Sequence, residues 1–341
     1  INPIITHSTK NGNIRKVKND KIDSKGIAKL GLSKDIPVSQ FPAKLVLELR
    51  SLTRKYYDLT DERSAHINKL KGDLHTVFPQ YLDVFCDVTG KTSTMILRQY
   101  GTPDKILRGH KKTMIEKISK ASRKGLAKAS ERYEKLCAAA NAAKTFGCQI
   151  DSIYFNIFLT LDLVEKLDSA LDSILNRIRQ LITFNKNEKF IQQIKLLNTI
   201  PGVGFLTAVT IMCEIGDFSA FRNPKQLFAY FGLDPEVNES GKFVGTQLHM
   251  SKRGSRIARR AIFAVALASI RTKRNGEGIN PYLRKYYELK SGQKPKMVAI
   301  GAVMHKVCNI VFAVLRDEKA FELRSPEEHC KQYQRPALAA A

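Results

Sequence analysis

Leu45, Leu49, Leu52, Tyr56 and Leu59 recur at alternating steps of four and three, the signature of one buried stripe along an α-helix. The stripe then shifts to Ile67, Leu70, Leu74 and Val77, as in a stutter, and Pro79 closes the segment. This spacing predicts one long helix over 43–78. A second stripe is cleaner. Ile153, Ile157, Thr160, Val164, Leu167, Leu171, Ile174, Ile178 and Leu181 keep the four-three pattern without a break. Two such seams can be buried by an antiparallel pair within one chain or by a coiled coil between protomers, and the stripes alone fit both.

The rest of the chain also reads as mainly helical. Asn19 is a good N-cap for a helix through Ile27, Ala28 and Leu30, ended by Gly31 and Pro37. Residues 91–145 read as helical pieces. Thr102-Pro103-Asp104 starts one of them, and the Ala-rich run from Cys137 to Ala143 suits tight helix packing. From Ile191 to Leu233 the pattern changes to short helices and tight turns, and 257–321 is helical again. The last helix, Met297 to Leu315, is apolar on most sides and is expected to be buried. No run is expected to reach transmembrane length, and the opening residues do not read as a signal peptide. The tail from Arg335-Pro336-Ala337 onward reads as disordered.

Charge narrows the partners. The chain carries 57 Lys and Arg against 32 Asp and Glu, a formal charge of +25. An excess of that size favours nucleic acid, whose phosphates release counterions when neutralised. A membrane surface fits less well, because no lone basic amphipathic helix carries aromatic anchors. The charge is also clustered: between Gly101 and Lys135 there are eleven Lys or Arg and four acids. The six cysteines form no CxxC pair and read as free thiols. His305 and Cys308 share a helix face at i and i+3, but two ligands do not make a zinc site.

Three motifs carry candidate chemistry. Ser240, in Asn238-Glu239-Ser240-Gly241, precedes the run Ser251-Lys252-Arg253-Gly254-Ser255-Arg256-Ile257-Ala258-Arg259-Arg260, and no acid lies between Ser240 and Arg260. A hydroxyl set against that much positive charge suits attack on, or binding of, a phosphate. Arg256, Arg259 and Arg260, at i, i+3 and i+4, would form one guanidinium face for bidentate phosphate contact. A serine before glycine is otherwise an ordinary turn residue. No His stands near Ser240 in sequence, so a hydrolase triad has no support. Second, Ile200-Pro201-Gly202-Val203-Gly204 leads into the apolar run Leu206 to Ile211, like the hairpin of a helix-hairpin-helix. There Gly202 and Gly204 would admit a phosphate to the backbone amides, although a structural turn between core helices explains the glycines equally. Third, Asp20 and Asp23 share a helix face near its positive end. They could hold a divalent ion, or simply complement the helix dipole, which is the plainer account.

These segments together resemble a known family. The order is Asp20-Lys21-Ile22-Asp23, a long coiled coil, Ile-Pro-Gly-Val-Gly, Glu214-Ile215-Gly216-Asp217-Phe218, Ala229-Tyr230-Phe231-Gly232-Leu233-Asp234-Pro235, Glu239-Ser240-Gly241 and Met250-Ser251-Lys252-Arg253-Gly254-Ser255. The chain is similar over about residues 1–320 to DEDD-type insertion-sequence transposases related to the Piv DNA invertase, the IS-one-ten family, which are guided by a bridge RNA.

The resemblance implies a RuvC-like (RNase H-type) α/β domain with four metal-binding acids, the last two matched by Asp20 and Asp23, and Mg2+ as cofactor. It implies Ser240 as the nucleophile that joins covalently to a DNA phosphate. A composite site would form between protomers of a homodimer or homotetramer, with donor and target DNA and a structured bridge RNA as partners, in the bacterial cytoplasm near the nucleoid and away from any membrane. Lys252, Arg253, Arg256, Arg259 and Arg260, with Gly202 and Gly204, would bind nucleic acid. The family's first Asp and its Glu find no match here, and Ile1-Asn2-Pro3-Ile4-Ile5 reads as the end of a strand. The expectation is therefore an N-terminally truncated fragment. The expected domains are a RuvC-like remnant over 1–40, coiled-coil and basic helical linker over 41–195, an all-α serine transposase domain with a helix-hairpin-helix over 196–321, and a tail over 322–341. The rival expectations are a non-catalytic nucleic-acid-binding protein, an inactive transposase remnant and a coiled-coil adaptor.

Overall fold

The computed structural model describes residues 20–32, 42–148, 150–186, 188–236, 239–240, 243–244, 249–325 and 327–328; for 20–23 and for the four residues within 239–244 it describes the backbone alone. The described residues are mainly helical. The chain divides into two compact units, one of Arg54–Gln180 and one of Ile1–Thr53 with Leu181–Ala341. Near the N-terminus α1 spans Asp20–Gly31, where the Asn19 cap and the Gly31 stop predicted it. The remainder of the expected RuvC-like segment, and the expected disordered tail beyond 328, lie outside the described residues.

Two 34-residue helices, α2 (Lys44–Val77) and α8 (Asp151–Phe184), are those read from the seams. Within the unit 54–180 they run antiparallel in a single register. The Tyr154 hydroxyl donates to the Val77 carbonyl, and Arg63 forms a two-pronged ion pair with Asp168, with Nη2 to Oδ2 at 3.2 Å. The choice left open by the stripes thus falls on an intrachain pair in this unit. All nine stripe positions of α8 are buried or half-buried. Ile157 and Leu161 share one core with Leu70, Leu74 and Val77.

Five shorter helices complete this unit: α3 (Tyr81–Val84), α4 (Lys91–Gln99), α5 (Pro103–Arg108), α6 (Lys111–Ser122) and α7 (Leu126–Phe146). Thr102 caps α5, with Pro103 at its start, as its sequence predicts. The rings of Phe78, Tyr81 and Phe85 meet in series at tilted angles, and the buried Tyr81 hydroxyl is satisfied by the Ser93 carbonyl at 3.1 Å. The Ala-rich run of α7 buries Ala139, Ala140 and Ala143. Just beyond it Gly147 passes so close to two carbonyls that a Cβ would meet Ala143 O and Val77 O, each at 2.6 Å.

The other unit is built around α14 (Lys296–Asp317), which packs on α9 (Lys189–Leu197), α11 (Pro224–Tyr230), α12 (Arg256–Ile270) and α13 (Pro281–Ser291), while α10 (Phe205–Ile215) lies against α9 and α12. By length and composition α14 is apolar enough to cross a membrane, which corrects the expectation that no segment reaches that length. Its burial against four helices accounts for the composition: Val303, Val307, Cys308 and Val311 have no contact with solvent. Cys308 is a buried free thiol, and His305 meets the Phe228 ring edge-on, so this pair is helix packing. Burial, with Lys306 adding to it, holds the His305 imidazole below its ordinary range. Asn223, Ser255 and Asn280 cap α11, α12 and α13, and proline follows two of these caps directly.

Ile157 is 1% exposed at the centre of the helical core. Ile157→Ala is expected to cost about 2–5 kcal/mol in urea unfolding, while Phe155→Ala, on the outer face of the same helix, stays within about 0.5 kcal/mol.

Candidate active site

α11 ends at Tyr230, and the chain then turns through Gly232 (φ +66°) into an extended segment. That segment pairs with the chain returning toward α12. Glu236 N donates to His249 O (2.7 Å), Ser251 N to Asp234 O (2.8 Å) and Lys252 N to Gly232 O (3.0 Å). Pro235 and Met250 bridge between them. Farther out, β1 (Glu239–Ser240) pairs antiparallel with β2 (Phe243–Val244), Ser240 opposite Phe243. Ser240 therefore stands in the last described pair of a hairpin. These are the only strands among the described residues.

The base of the hairpin is tightly built. A Cβ on Gly254 would lie 2.0 Å from Tyr230 O, and one on Gly232 would lie 2.5 Å from Gly254 N. Both positions need glycine because two backbones cross there. Arg259 Nη1 donates to Phe231 O (3.1 Å) and to Gly254 O (2.7 Å), stapling the crossing from α12. Burial lowers the pKa of this guanidinium. The Ser251 hydroxyl donates to Asp234 Oδ1 at 2.6 Å, and Ser251 is itself buried.

The cationic run leaves this junction. Lys252 is exposed and holds the left-handed backbone conformation, φ +52°. A side chain in that region costs about 1–2 kcal/mol, and such strain clusters at functional sites. Arg253 is exposed beside it, and Ser255 caps α12 by accepting from Ala258 N. Arg256 is exposed in the first turn of α12, and Arg260 is half-buried. Of the three arginines expected on one face, Arg259 is thus engaged by backbone carbonyls inside the fold.

The Pro-Gly-Val-Gly turn links α9 to α10. Gly202 (φ +98°) lies against the end of α12, where a Cβ would sit 2.5 Å from Ser269 Oγ, and that hydroxyl donates to Pro201 O (3.0 Å). Packing alone therefore requires glycine at 202. Gly204 differs: it is the N-cap of α10, no side chain caps that end, and a Cβ there would meet nothing within 4 Å.

Asp20 and Asp23 occupy the first turn of α1, with their side chains outside the described residues. Among the described residues no three His, Cys, Asp or Glu stand together as metal ligands. As hard oxygen donors three positions apart on a helix, the two carboxylates have the chemistry for a divalent cation. Asp234 and Ser251 lie within the sequence motifs, yet nothing in the local sequence assigns either a role. An Asp-Pro step before the hairpin and a serine after it were the only signals.

A family model described as "Transposase IS116/IS110/IS902 family" matches residues 194–288, covering the turn, the hairpin and the cationic run. A second, a DEDD-type model described as "Transposase", matches residues 1–79. The chain belongs to the IS110 family of transposases. The DEDD match places Asp20 and Asp23 in a domain type that points to divalent-metal dependence.

Relatives of this IS110-family chain agree. It is 23% identical over 286 residues to the "Insertion element IS110 uncharacterized 43.6 kDa protein" of Streptomyces coelicolor, covering 83% of this chain and 66% of that protein. It is 30% identical over 177 residues to the "Pilin gene-inverting protein" of Moraxella bovis, covering 52% of each. It is 24% identical over 311 residues to the "Insertion element IS116 uncharacterized 44.8 kDa protein" of Streptomyces clavuligerus, covering 91% of this chain and 74% of that protein. The chain spans less than two-thirds of the length of the first two.

Releasing the strained backbone of this transposase-family junction should be measurable. Lys252→Gly is expected to raise stability by about 1 kcal/mol in denaturant unfolding, whereas Lys252→Ala keeps the strain and gives no gain.

Proposed function

We propose that the protein acts as a transposase, a site-specific DNA recombinase of an insertion sequence, with Ser240 as its nucleophile. The observation that carries this reading is the placement of Ser240 at the end of a hairpin whose base also launches the Lys252–Arg260 cationic run. In this reading Ser240 Oγ attacks the phosphorus of a DNA phosphodiester as its proton leaves. The bond to the departing sugar oxygen breaks, and a serine–phosphate ester remains. A sugar hydroxyl of the incoming strand later attacks the same phosphorus and releases the serine, so phosphoester bonds are conserved. Lys252, Arg253 and Arg256 neutralise the attacked phosphate and its neighbours. Arg259 supports them by fixing the crossing beneath, and Arg260 extends the positive face.

Asp20 and Asp23 would hold Mg2+, which supplies Lewis-acid stabilisation at the phosphate oxygens. The pair belongs to a RuvC-like domain, and the composite site joins that domain of one protomer to the serine domain of another, so the working unit is a homodimer or homotetramer. The reading keeps the serine domain at 196–321, the basic helical region at 41–195 and the RuvC-like segment at 1–40. The Gly202–Gly204 turn acts in the serine domain as a helix-hairpin-helix, in which Gly204 leaves the start of α10 open to a backbone phosphate. The lysine- and arginine-rich segments at 101–135 and 271–296 carry phosphates of DNA and of a bridge RNA whose pairing selects the target.

Strand exchange by the full-length protein on supercoiled plasmids tests the nucleophile. Ser240→Ala is expected to abolish exchange and the covalent protein–DNA adduct, by about a thousandfold or more, and to leave DNA affinity within about twofold. Adduct formation unchanged in that variant would leave a basic nucleic-acid-binding scaffold. Affinity titrated against salt should fall with a log-log slope near about −7, for about eight neutralised phosphates. A flat response would refute phosphate-driven binding.

A further inference from the structure

We propose that Asp234 and Ser251 are positioning residues that set the register between the nucleophile and the phosphate-binding cations. The inference rests on the reading of Ser240 as nucleophile. The strand toward Ser240 leaves from Asp234, and the cationic run toward Arg260 leaves from Ser251. These two residues face each other and are joined twice. Their backbones are joined by Ser251 N to Asp234 O at 2.8 Å, and their side chains by Ser251 Oγ to Asp234 Oδ1 at 2.6 Å. The second link is a hydrogen bond to a carboxylate, about twice as strong as a neutral one, and it is made by a buried serine.

The hairpin needs such a link. β1 and β2 contribute two residues each, and a two-stranded hairpin of that size does not hold an orientation by itself. Among the described residues, the links that can set its direction are those at its base. At that base the Gly232–Gly254 crossing and the Arg259 staple lie on the side of Asp234 and Ser251 away from the hairpin. On the hairpin side the described links are the Pro235–Met250 bridge and the bond from Glu236 N to His249 O. Asp234–Ser251 is therefore the described side-chain bond between the two extended segments that lies nearest to Ser240 in sequence. It also precedes Lys252, whose left-handed backbone is pinned by its own bond to Gly232 O. Loosening the pair would let the hydroxyl and the cations turn independently, and a displacement of about 1 Å at a reacting group can cost about a hundredfold in rate.

The test uses Ser251→Ala, Ser251→Thr and Asp234→Asn in the full-length protein. Amide hydrogen exchange across 233–252, DNA affinity and the single-turnover rate of adduct formation are measured for each. Ser251→Ala and Asp234→Asn are expected to speed exchange of the hairpin amides by about tenfold, matching loss of one hydrogen bond to a charged group. Both should slow adduct formation by about tenfold or more, with affinity and the global unfolding transition unchanged. Ser251→Thr keeps the hydroxyl and should restore both readings. Hairpin exchange unaltered in both variants overturns the proposal, as does a loosened hairpin that forms adduct at the parental rate. If Ser240→Ala still forms adduct, the nucleophile reading fails on its own, and exchange in the hairpin still decides whether the pair holds it.

Discussion

Two backbones cross at Gly232 and Gly254 at a separation that admits only hydrogen on the α-carbons, and the candidate site depends on this crossing. It brings together segments about twenty residues apart, one leading to Ser240 and the other to the basic start of α12. The order of the bonds there is physically reasonable. Glycines allow the approach, Arg259 donates to a carbonyl on each side of the crossing, and Asp234 with Ser251 continues the contact outward. A charged side chain used this way gives up solvation, as the lowered pKa of Arg259 reflects, and gains two carbonyl acceptors in return.

The helical scaffold obeys simpler rules. In the unit 54–180 one end of the α2 seam and one end of the α8 seam share a core with the shorter helices, and polar pairs between the two long helices fix their register: Arg63 with Asp168, and the Tyr154 hydroxyl with Val77 O. Arg98 adds a clamp from α4 onto Asp162 and Glu165 of α8. Exposed ion pairs of this kind contribute little stability each. Their value is that they favour one alignment of two long apolar stripes that could slide by a heptad. In the other unit α14 serves as the central helix, and its apolar surface is explained by the helices around it.

Much of the scaffold was legible in the sequence because helices announce themselves locally. The seams at 45–77 and 153–181, the Thr102-Pro103 start and the apolar run 206–211 all became helices close to the predicted bounds. The site was legible only as a list. Ser240 and the cations stand out because charge and a hydroxyl lie close in sequence. By sequence Gly202 fits a phosphate-admitting turn and a structural turn equally, and its contact with Ser269 demands glycine on packing grounds. Helical spacing groups Arg259 with Arg256 and Arg260, yet its guanidinium turns inward to Phe231 O and Gly254 O. No local pattern carries that information.

The sequence alone determined what short-range chemistry controls: where helices start and stop, which stripe of each is apolar, how much positive charge the chain carries, and the motif order shared with a transposase family. Tertiary structure decided what requires distant residues to meet. It paired α2 with α8 in one chain, assigned Arg259 to backbone carbonyls, and joined Asp234 to Ser251 across seventeen positions of sequence. The reason is physical. Periodicity and capping act over one or two helical turns and leave a repeating trace, whereas a single crossing of two extended strands depends on long-range packing and leaves no repeat to read.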